Sequence, residues 1–164
     1  MATNSNTAKV VELHPKERQQ SSEKKWGKAV IDLGFSILPS LIFRAQARLG
    51  LSPVQLVLLL HLADYWWQKE RMPHPSKATL AARMSLSPRQ IQRYLTELEE
   101  GGFIQRKTRF ASHKGQLNNE YNLTGLVKKL QKLEPEFTEV KEQSKKVAKR
   151  GGLAVQAKKV QEED

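Results

Sequence analysis

Two short helical patterns separated by a three-residue turn restrict the fold of this chain more than any other feature. Ser76 is placed to cap a first helix over Lys77–Met84, and the turn Ser85-Leu86-Ser87 follows it. The run Ser87-Pro88-Arg89-Gln90 then combines a capping serine, a proline in the first turn and a glutamine three residues after the serine, which together predict a helix start. This second helix is predicted to end at Gly101-Gly102. Two short helices joined in this way form a helix-turn-helix unit.

The second helix is predicted to have one apolar face and one polar face. At about 100° per residue, Ile91, Leu95 and Leu98 cluster on one side of the helix. The opposite side is polar, and it is basic toward the beginning of the helix. Arginine can donate two hydrogen bonds to guanine and glutamine can pair with adenine, so this side suits the major groove of DNA. Its residues are Arg89, Arg93 and Thr96, flanked by Gln92 and Glu97.

A β-hairpin is predicted directly after the second helix. Phe103–Phe110 is expected to be a strand, Ala111–Asn119 a polar loop, and Glu120–Leu123 a returning strand whose Tyr121 and Leu123 point inward. Helix, turn, helix and hairpin is the order of elements in a winged helix. Basic side chains on the hairpin could reach phosphates or a minor groove. They are Arg106, Lys107, Arg109 and Lys114.

Further helices are predicted before this unit. Ser40–Leu49 has helical periodicity, and Ser52-Pro53-Val54-Gln55 repeats the capping signal and begins a helix that is expected to run to about Lys69. Trp66 and Trp67 are adjacent, so the two indoles cannot share one helix face. At least one of them is therefore expected to pack under a neighbouring element.

The chain after the hairpin allows two interpretations. Thr124–Leu133 is predicted to be a helix with an apolar stripe of three leucines, which either packs on its own domain or forms a dimer contact. The polar composition of residues 1–25 predicts a disordered arm, and that of residues 138–164 predicts a flexible basic tail. The stripe consists of Leu126, Leu130 and Leu133.

Positive charge is concentrated in the part of the chain that is expected to fold. The net charge is +11, and residues 26–137 carry 16 basic and 9 acidic side chains, a net charge of +7. A basic surface favours binding to a phosphate backbone, because counterions are released when it associates. An acidic protein or a membrane surface is the alternative partner on charge alone.

Several other classes of protein fit the sequence poorly. The absence of cysteine excludes disulfides and cysteine-ligated zinc, and the polar N-terminus has no signal-peptide pattern. The most apolar run, Val54–Ala63, has about half the length that a bilayer requires. The four histidines have no metal-site spacing, and no glycine-rich phosphate loop or nucleophile motif is present. We therefore expect a cytoplasmic, nucleoid-associated protein that is not an enzyme and has no cofactor, no metal, no membrane association and no small-molecule effector.

Pro75–Leu123 resembles the winged helix-turn-helix domains of small bacterial regulators and of plasmid and phage replication proteins. The matching stretches are PSKATLAARMSLSPRQIQRYLTELEEGGFIQR and NNEYNL. The resemblance implies that the helix beginning SPRQIQRYL enters the major groove and that GFIQR begins the wing. It also implies base or phosphate contacts from Arg89, Gln90, Gln92, Arg93 and Thr96.

The sequence as a whole predicts a mainly α (α+β) protein. A winged helix-turn-helix domain with a two-stranded hairpin and flanking helices is expected over residues 26–137. The predicted function is specific binding of double-stranded DNA by a dimeric transcriptional repressor; the alternatives are a replication-initiation or plasmid-maintenance protein that binds origin repeats, and a protein-interaction module. His113 is interpreted as a polar loop residue rather than a pH switch. The predicted DNA-binding residues are Ser76, Lys77, Ser87, Arg89, Gln90, Gln92, Arg93, Thr96, Arg106, Lys107, Arg109, His113 and Lys114.

Overall fold

The computed structural model describes residues 15–110 and 115–151, which divide into two compact units. The first unit ends at Ile37 and contains two helices, α1 (Pro15–Trp26) and α2 (Lys28–Asp32). Gly27 separates them with a φ of 89°, a conformation that favours glycine. Ile31 is the buried apolar residue of α2.

The second unit begins at Leu38 and is mainly helical with one antiparallel hairpin. Its elements follow one another in the order expected of a winged helix, so the predicted fold class is confirmed. They are α3 (Leu41–Arg44), α4 (Gln46–Leu49), α5 (Pro53–Asp64), α6 (Lys77–Met84), α7 (Pro88–Glu100), β1 (Gln105–Phe110), β2 (Gln116–Asn122) and α8 (Thr124–Lys149).

One apolar core joins the elements of this unit. Leucines of α5 pack with the apolar faces of α6 and α7, and the inward residues of β2 and α8 close the core from the other side. Tyr121 and Leu123 are 1% and 0% exposed, as predicted for the inward side of the hairpin. The core includes Ile42, Ala45, Leu51, Leu56, Leu58, Leu59, Leu62, Leu80, Ala81, Ile91, Leu95, Leu98, Phe103, Ile104, Leu126 and Leu130.

The turn between α6 and α7 has the predicted local chemistry. Ser76 and Ser87 cap the two helices, each accepting a hydrogen bond from the backbone N–H three residues ahead. Ser85 ends α6 in the left-handed conformation, with a φ of 52°, and Leu86 packs against the core. The same capping box is present at Ser52, where α5 begins.

Several element boundaries differ from the sequence-based expectation. Helix α5 ends at Asp64 rather than near Lys69, because the N–H groups of Tyr65 and Trp66 bond to carbonyls three residues back and close the last turn. The helix expected over Ser40–Leu49 is divided into α3 and α4 at Ala45, which leaves helical geometry with a ψ of 0°. Strand β2 begins four residues earlier than predicted, since β1 extends to Phe110 and pairs with residues 116 and 117.

The two tryptophans have different surroundings, as their adjacency predicts. Trp66 is partly buried and packs against the core, whereas Trp67 is 69% exposed. The expectation that at least one indole lies under a neighbouring element is therefore confirmed.

The helix after the hairpin is longer than its leucine stripe. Leu126 and Leu130 are buried, and Leu133 and Phe137 pack against the same core, so the stripe serves the domain's own packing. The helix continues through Pro135 to Lys149 and crosses the predicted boundary at residue 138, just as α1 crosses the one at residue 25. The boundaries of the arm, domain and tail stay predictions, and residues 1–14 and 152–164 lie outside the described residues. None of the helices in the described ranges is long and apolar enough to cross a membrane.

Candidate nucleic-acid interface

The outward side of α7 is the centre of the candidate interface. Ile91 and Leu95 are fully buried and Leu98 is 1% exposed, so the predicted inward face of this helix is confirmed. The opposite side therefore faces solvent. Together with the helix start, it lines an open groove formed by Ser87, Arg89, Gln90, Gln92, Arg93, Thr96, Glu97 and Glu100.

The first turn of α7 is organised by its cap. The backbone N–H of Gln90 donates to Ser87 Oγ at 3.2 Å, and the Ser87 N–H donates to Gln90 Oε1 at 2.9 Å. These two predicted contact residues are thus engaged in holding the helix start. The positive end of the helix dipole lies at this exposed turn and attracts anions.

A polar chain links α6 to the outward side of α7. Lys77 Nζ donates to Gln92 Oε1 at 3.0 Å, and the Thr96 hydroxyl donates to the Gln92 carbonyl oxygen, also at 3.0 Å. Gln92 and Thr96 are partly buried, while Lys77 is exposed. These hydrogen bonds therefore order Gln92 and Thr96, which the resemblance implies as base or phosphate contacts.

Arg106 faces α7 rather than solvent. Its backbone N–H donates to Glu99 Oε1 at 2.8 Å and its Nε donates to Glu99 Oε2 at 2.7 Å, while Nη2 donates to Thr96 Oγ1 at 3.3 Å. Burial acts to raise the pKa of Glu99, but the hydrogen bonds and charge of Arg106 outweigh it and hold that pKa below its ordinary value. The Arg106 side chain is only 19% exposed.

The remaining cations of the predicted site are more accessible. Arg89 and Lys107 are exposed and form no ion pair with the residues that the structure describes. Arg93 lies 3.7 Å from a Glu97 oxygen with its side chain 61% exposed, a contact of small energetic value. Arg109 Nε lies 3.4 Å from Glu120 across the hairpin.

The loop residues of the predicted site, His113 and Lys114, lie outside the described residues. The described site is thus formed by α7, the start of α6 and the two strands. Asn118 and Asn119 of β2 line a groove with Lys77, a juxtaposition that the sequence analysis missed. It also missed Glu99, and it missed Gln55, whose side-chain nitrogen donates to Glu97 at 2.9 Å and connects α5 to α7.

Glu99 carries only a weak signal in the sequence. It is a carboxylate one turn after Thr96 on the same helix, followed seven residues later by a cation at the start of a strand. Many exposed helices contain such residues, so only the packing of the hairpin against α7 identifies the pair. Among the described residues, no group of three or more His, Asp or Glu side chains is placed to hold a metal ion.

Comparisons with known proteins give one family match and several similar solved structures. Residues 49–104 match the family model described as a helix-turn-helix domain. Similar solved structures include the N-terminal domain of the DnaD protein from Geobacillus kaustophilus, with 25% identity, a TM-score of 0.46 and coverage of 81% of this chain and 97% of that one. A possible transcriptional regulator from Methanosarcina mazei has 17% identity, a TM-score of 0.40 and coverage of 62% and 82%, respectively.

No curated protein matches the chain in sequence. The family match spans α5 and the two helices of the turn unit and ends at residue 104, directly before β1. Residues 49–104 are therefore similar to helix-turn-helix domains, and with the hairpin that follows the described elements have the order of a winged helix.

Proposed function

We propose that this chain binds double-stranded DNA in a sequence-specific manner and acts by binding rather than by catalysis. In this proposal α7 enters the major groove and the β1–β2 hairpin lies along the flanking backbone. The observation that carries it is the contrast between the two sides of α7: the apolar side is fully buried, whereas Arg89 and Arg93 extend from the outward side near the helix start.

The chemistry of this surface suits DNA. Each arginine can donate two parallel hydrogen bonds to guanine, and Gln92 offers an amide that can pair with adenine. Lys107 on the hairpin supplies an accessible charge for a phosphate, which adds affinity without reading sequence. A protein-interaction module would have no need of exposed cations on both elements.

The biological role that we propose is transcriptional regulation, as a repressor that covers a promoter in the cytoplasm near the nucleoid. Paired half-sites would be read by a dimer. The α8 helix offers a surface for a second copy, since Val140 and Val147 continue its apolar stripe at helical spacing and are 57% and 43% exposed. The alternative role is initiation or maintenance of replication at repeated origin sites.

Selection from a pool of randomised duplexes tests the proposal. The full chain is incubated with the pool, and the retained duplexes are sequenced after washing at several salt concentrations. A motif in two inverted halves is expected for a dimeric regulator, and its spacing reports the distance between the two α7 helices. A motif repeated head to tail would favour the replication role. Retention without a motif would contradict sequence-specific binding, and no retention at low salt would contradict DNA binding altogether.

A further inference from the structure

Three nitrogen atoms of Arg106 donate hydrogen bonds to side chains of α7. A backbone N–H and two guanidinium nitrogens of this one residue contact Glu99 and Thr96, which lie one turn apart on α7. We use the term bracket for Glu99, Arg106 and Thr96 together. Because the bracket includes the backbone of Arg106, it fixes the start of β1 as well as the side chain.

The neighbouring cation on the strand has the opposite environment. Successive side chains of a strand point to opposite faces, so Arg106 faces α7 while Lys107 faces away from it. Lys107 is exposed and has no ion-pair partner among the described residues, whereas the Arg106 and Glu99 side chains are 19% and 33% exposed. Two adjacent cations that look equivalent in the sequence are therefore placed for different tasks.

If the Arg106 side chain moved to a DNA phosphate, the interactions that it loses with α7 would outweigh the one that it gains. The move breaks the hydrogen bonds of the guanidinium to Glu99 and Thr96 and leaves the Glu99 carboxylate without its cationic partner, close to the negative backbone of DNA. Glu99 and Thr96 also share a helix with Arg89 and Arg93, so the bracket joins the helix that would read bases to the hairpin that would grip phosphates. A rigid angle between the two elements lets both contact one duplex without paying to order the hairpin on binding.

We infer that Arg106 is a positioning residue, which holds the hairpin at a set angle to α7 through Glu99 and Thr96 and does not itself contact DNA. This inference rests on the proposed function and replaces the phosphate contact that the sequence predicts for Arg106. It also assigns a role to Glu99, an acidic residue in a surface that binds a polyanion. On electrostatic grounds alone, removal of the negative charge of Glu99 is expected to tighten DNA binding.

Substitution of Glu99 distinguishes the two roles of Arg106 by the direction of its effect. Affinity for the selected duplex is measured for Glu99→Gln, Arg106→Gln and the double variant. The bracket predicts that each single change weakens binding about tenfold and that the double variant is no weaker than the worse single variant, because both changes remove one shared interaction. Glu70→Gln removes the same charge from an exposed position outside α7 and the hairpin and is expected to cause no loss of affinity.

A phosphate contact from Arg106 predicts different results. Glu99→Gln would then release the arginine and tighten binding, and the effects of the two single changes would add. Arg106→Lys would keep most of the affinity, since lysine also binds phosphate as a point charge, whereas the bracket predicts that lysine restores only a small part of it. Lys107→Gln shows the result expected when a phosphate contact is lost: the slope of log affinity against log salt should fall by about one. Tighter binding by Glu99→Gln, or additive losses, would overturn the inference.

A measurement without DNA separates this inference from the proposed function. The pKa of the Glu99 carboxyl is followed by NMR in the wild type, in Arg106→Gln and in Lys107→Gln. We expect the depressed pKa of Glu99 to rise in Arg106→Gln and to stay unchanged in Lys107→Gln. If the wild type binds no duplex, the proposed function fails while this titration still tests the bracket. If Glu99 titrates identically in all three proteins, the bracket itself is absent.

Discussion

In the proposed function, specific DNA recognition depends most on the arginines at the start of α7. Arg89 is exposed without an ion pair among the described residues, and Arg93 has only a long contact to Glu97 and the ring of Tyr94 beneath its guanidinium at 4.9 Å. Neither arginine would have to break a strong internal interaction in order to reach a base. The same is not true of Gln92 and Thr96, which hydrogen bond within the domain.

Arg89→Ala and Arg93→Ala are expected to weaken binding to the selected duplex by about 1–3 kcal/mol each, because a bidentate contact to a base is lost. Titration of a labelled duplex measures the change, and a duplex of scrambled sequence shows whether the loss is specific. Arg71→Ala, an exposed cation outside the helix-turn-helix pair and the hairpin, serves as the control for charge. Unchanged affinity in both α7 variants would remove these residues from the interface.

Gly125 allows the hairpin and α8 to approach each other. A Cβ at this position would overlap the Gly102 carbonyl oxygen, and the Leu126 N–H donates to the Phe103 carbonyl at 2.8 Å beside it. Two segments of backbone are therefore in contact where the hairpin begins and α8 starts. A side chain could be accommodated only by separating them.

Gly125→Ala is expected to lower the free energy of unfolding by about 1–3 kcal/mol, as overpacking of a tight contact does. Urea denaturation followed by circular dichroism measures this difference. Gly115→Ala is the matched control, since a Cβ there meets nothing within 4 Å. Equal stability of the two variants would show that the chain relaxes freely at Gly125.

Helix α7 combines two tasks, since its apolar side holds the core together while its polar side forms the candidate interface. Ile91, Leu95 and Leu98 pack with α5 and α6, and the helix also carries the carboxylates that orient Arg106 and Gln55. Substitutions on the two sides should therefore affect different measurements.

Leu95→Ala is expected to destabilise the domain by about 2–5 kcal/mol, because it removes a fully buried side chain and leaves a cavity. Thermal unfolding is the appropriate measurement, and DNA affinity should be compared only at temperatures where the variant is folded. Val57→Ala on α5, whose side chain is 43% exposed, should change stability far less. A Leu95→Ala variant as stable as the wild type would mean that the inward face of α7 is assigned incorrectly.

The ion pair that joins α7 to the hairpin should make the stability of the fold depend on pH in the acid range. Because Arg106 lowers the pKa of Glu99 in the folded state below its ordinary value of 4.5, the ionised carboxylate stabilises the fold. That contribution is fully present above about pH 4.5 and is lost as the pH falls through the lower, folded-state pKa. Unfolding curves between pH 6 and about pH 3 should show a smaller acid-induced loss of stability in Glu99→Gln than in Glu100→Gln. Identical pH profiles would contradict this role of the ion pair.

At the scale of the whole molecule, α8 is the longest helix of the described residues and extends past the core of the second unit. The 26 residues of α8 begin against the hairpin, and the part after Phe137 carries exposed valines together with charges of both signs. A second copy that covers these valines would bring two α7 helices to one DNA site. This arrangement is the basis of the proposed dimer.

Replacement of both Val140 and Val147 by Lys is expected to shift a dimer toward monomer in sedimentation experiments, because charged groups would enter the contact. The thermal stability of each copy should change little, since both valines lie outside the core. Binding to a duplex with paired half-sites should weaken more than binding to a single half-site. A wild type that is monomeric at all concentrations, on and off DNA, would contradict the dimer.

The features that follow from neighbouring residues were predictable from the sequence. Serine caps, proline starts and helical periodicity are local, so the turn between α6 and α7, the inward face around Leu95 and the order of helices and hairpin were all predicted correctly. The alternation of a strand likewise placed Tyr121 inward. The same local rules did not place the end of α5, where the N–H groups of Tyr65 and Trp66 bond to carbonyls three residues back instead of four.

The partners of polar side chains were decided by packing. Arg106 and Lys107 are indistinguishable as adjacent cations in a sequence, and only the approach of β1 to α7 puts one of them on Glu99 and leaves the other exposed. Gln55 and Glu97 meet although 42 positions separate them. A long flexible side chain can bond to any of several partners within its reach. The partner that it bonds depends on the relative positions of whole elements, and no spacing within one helix or strand encodes those positions.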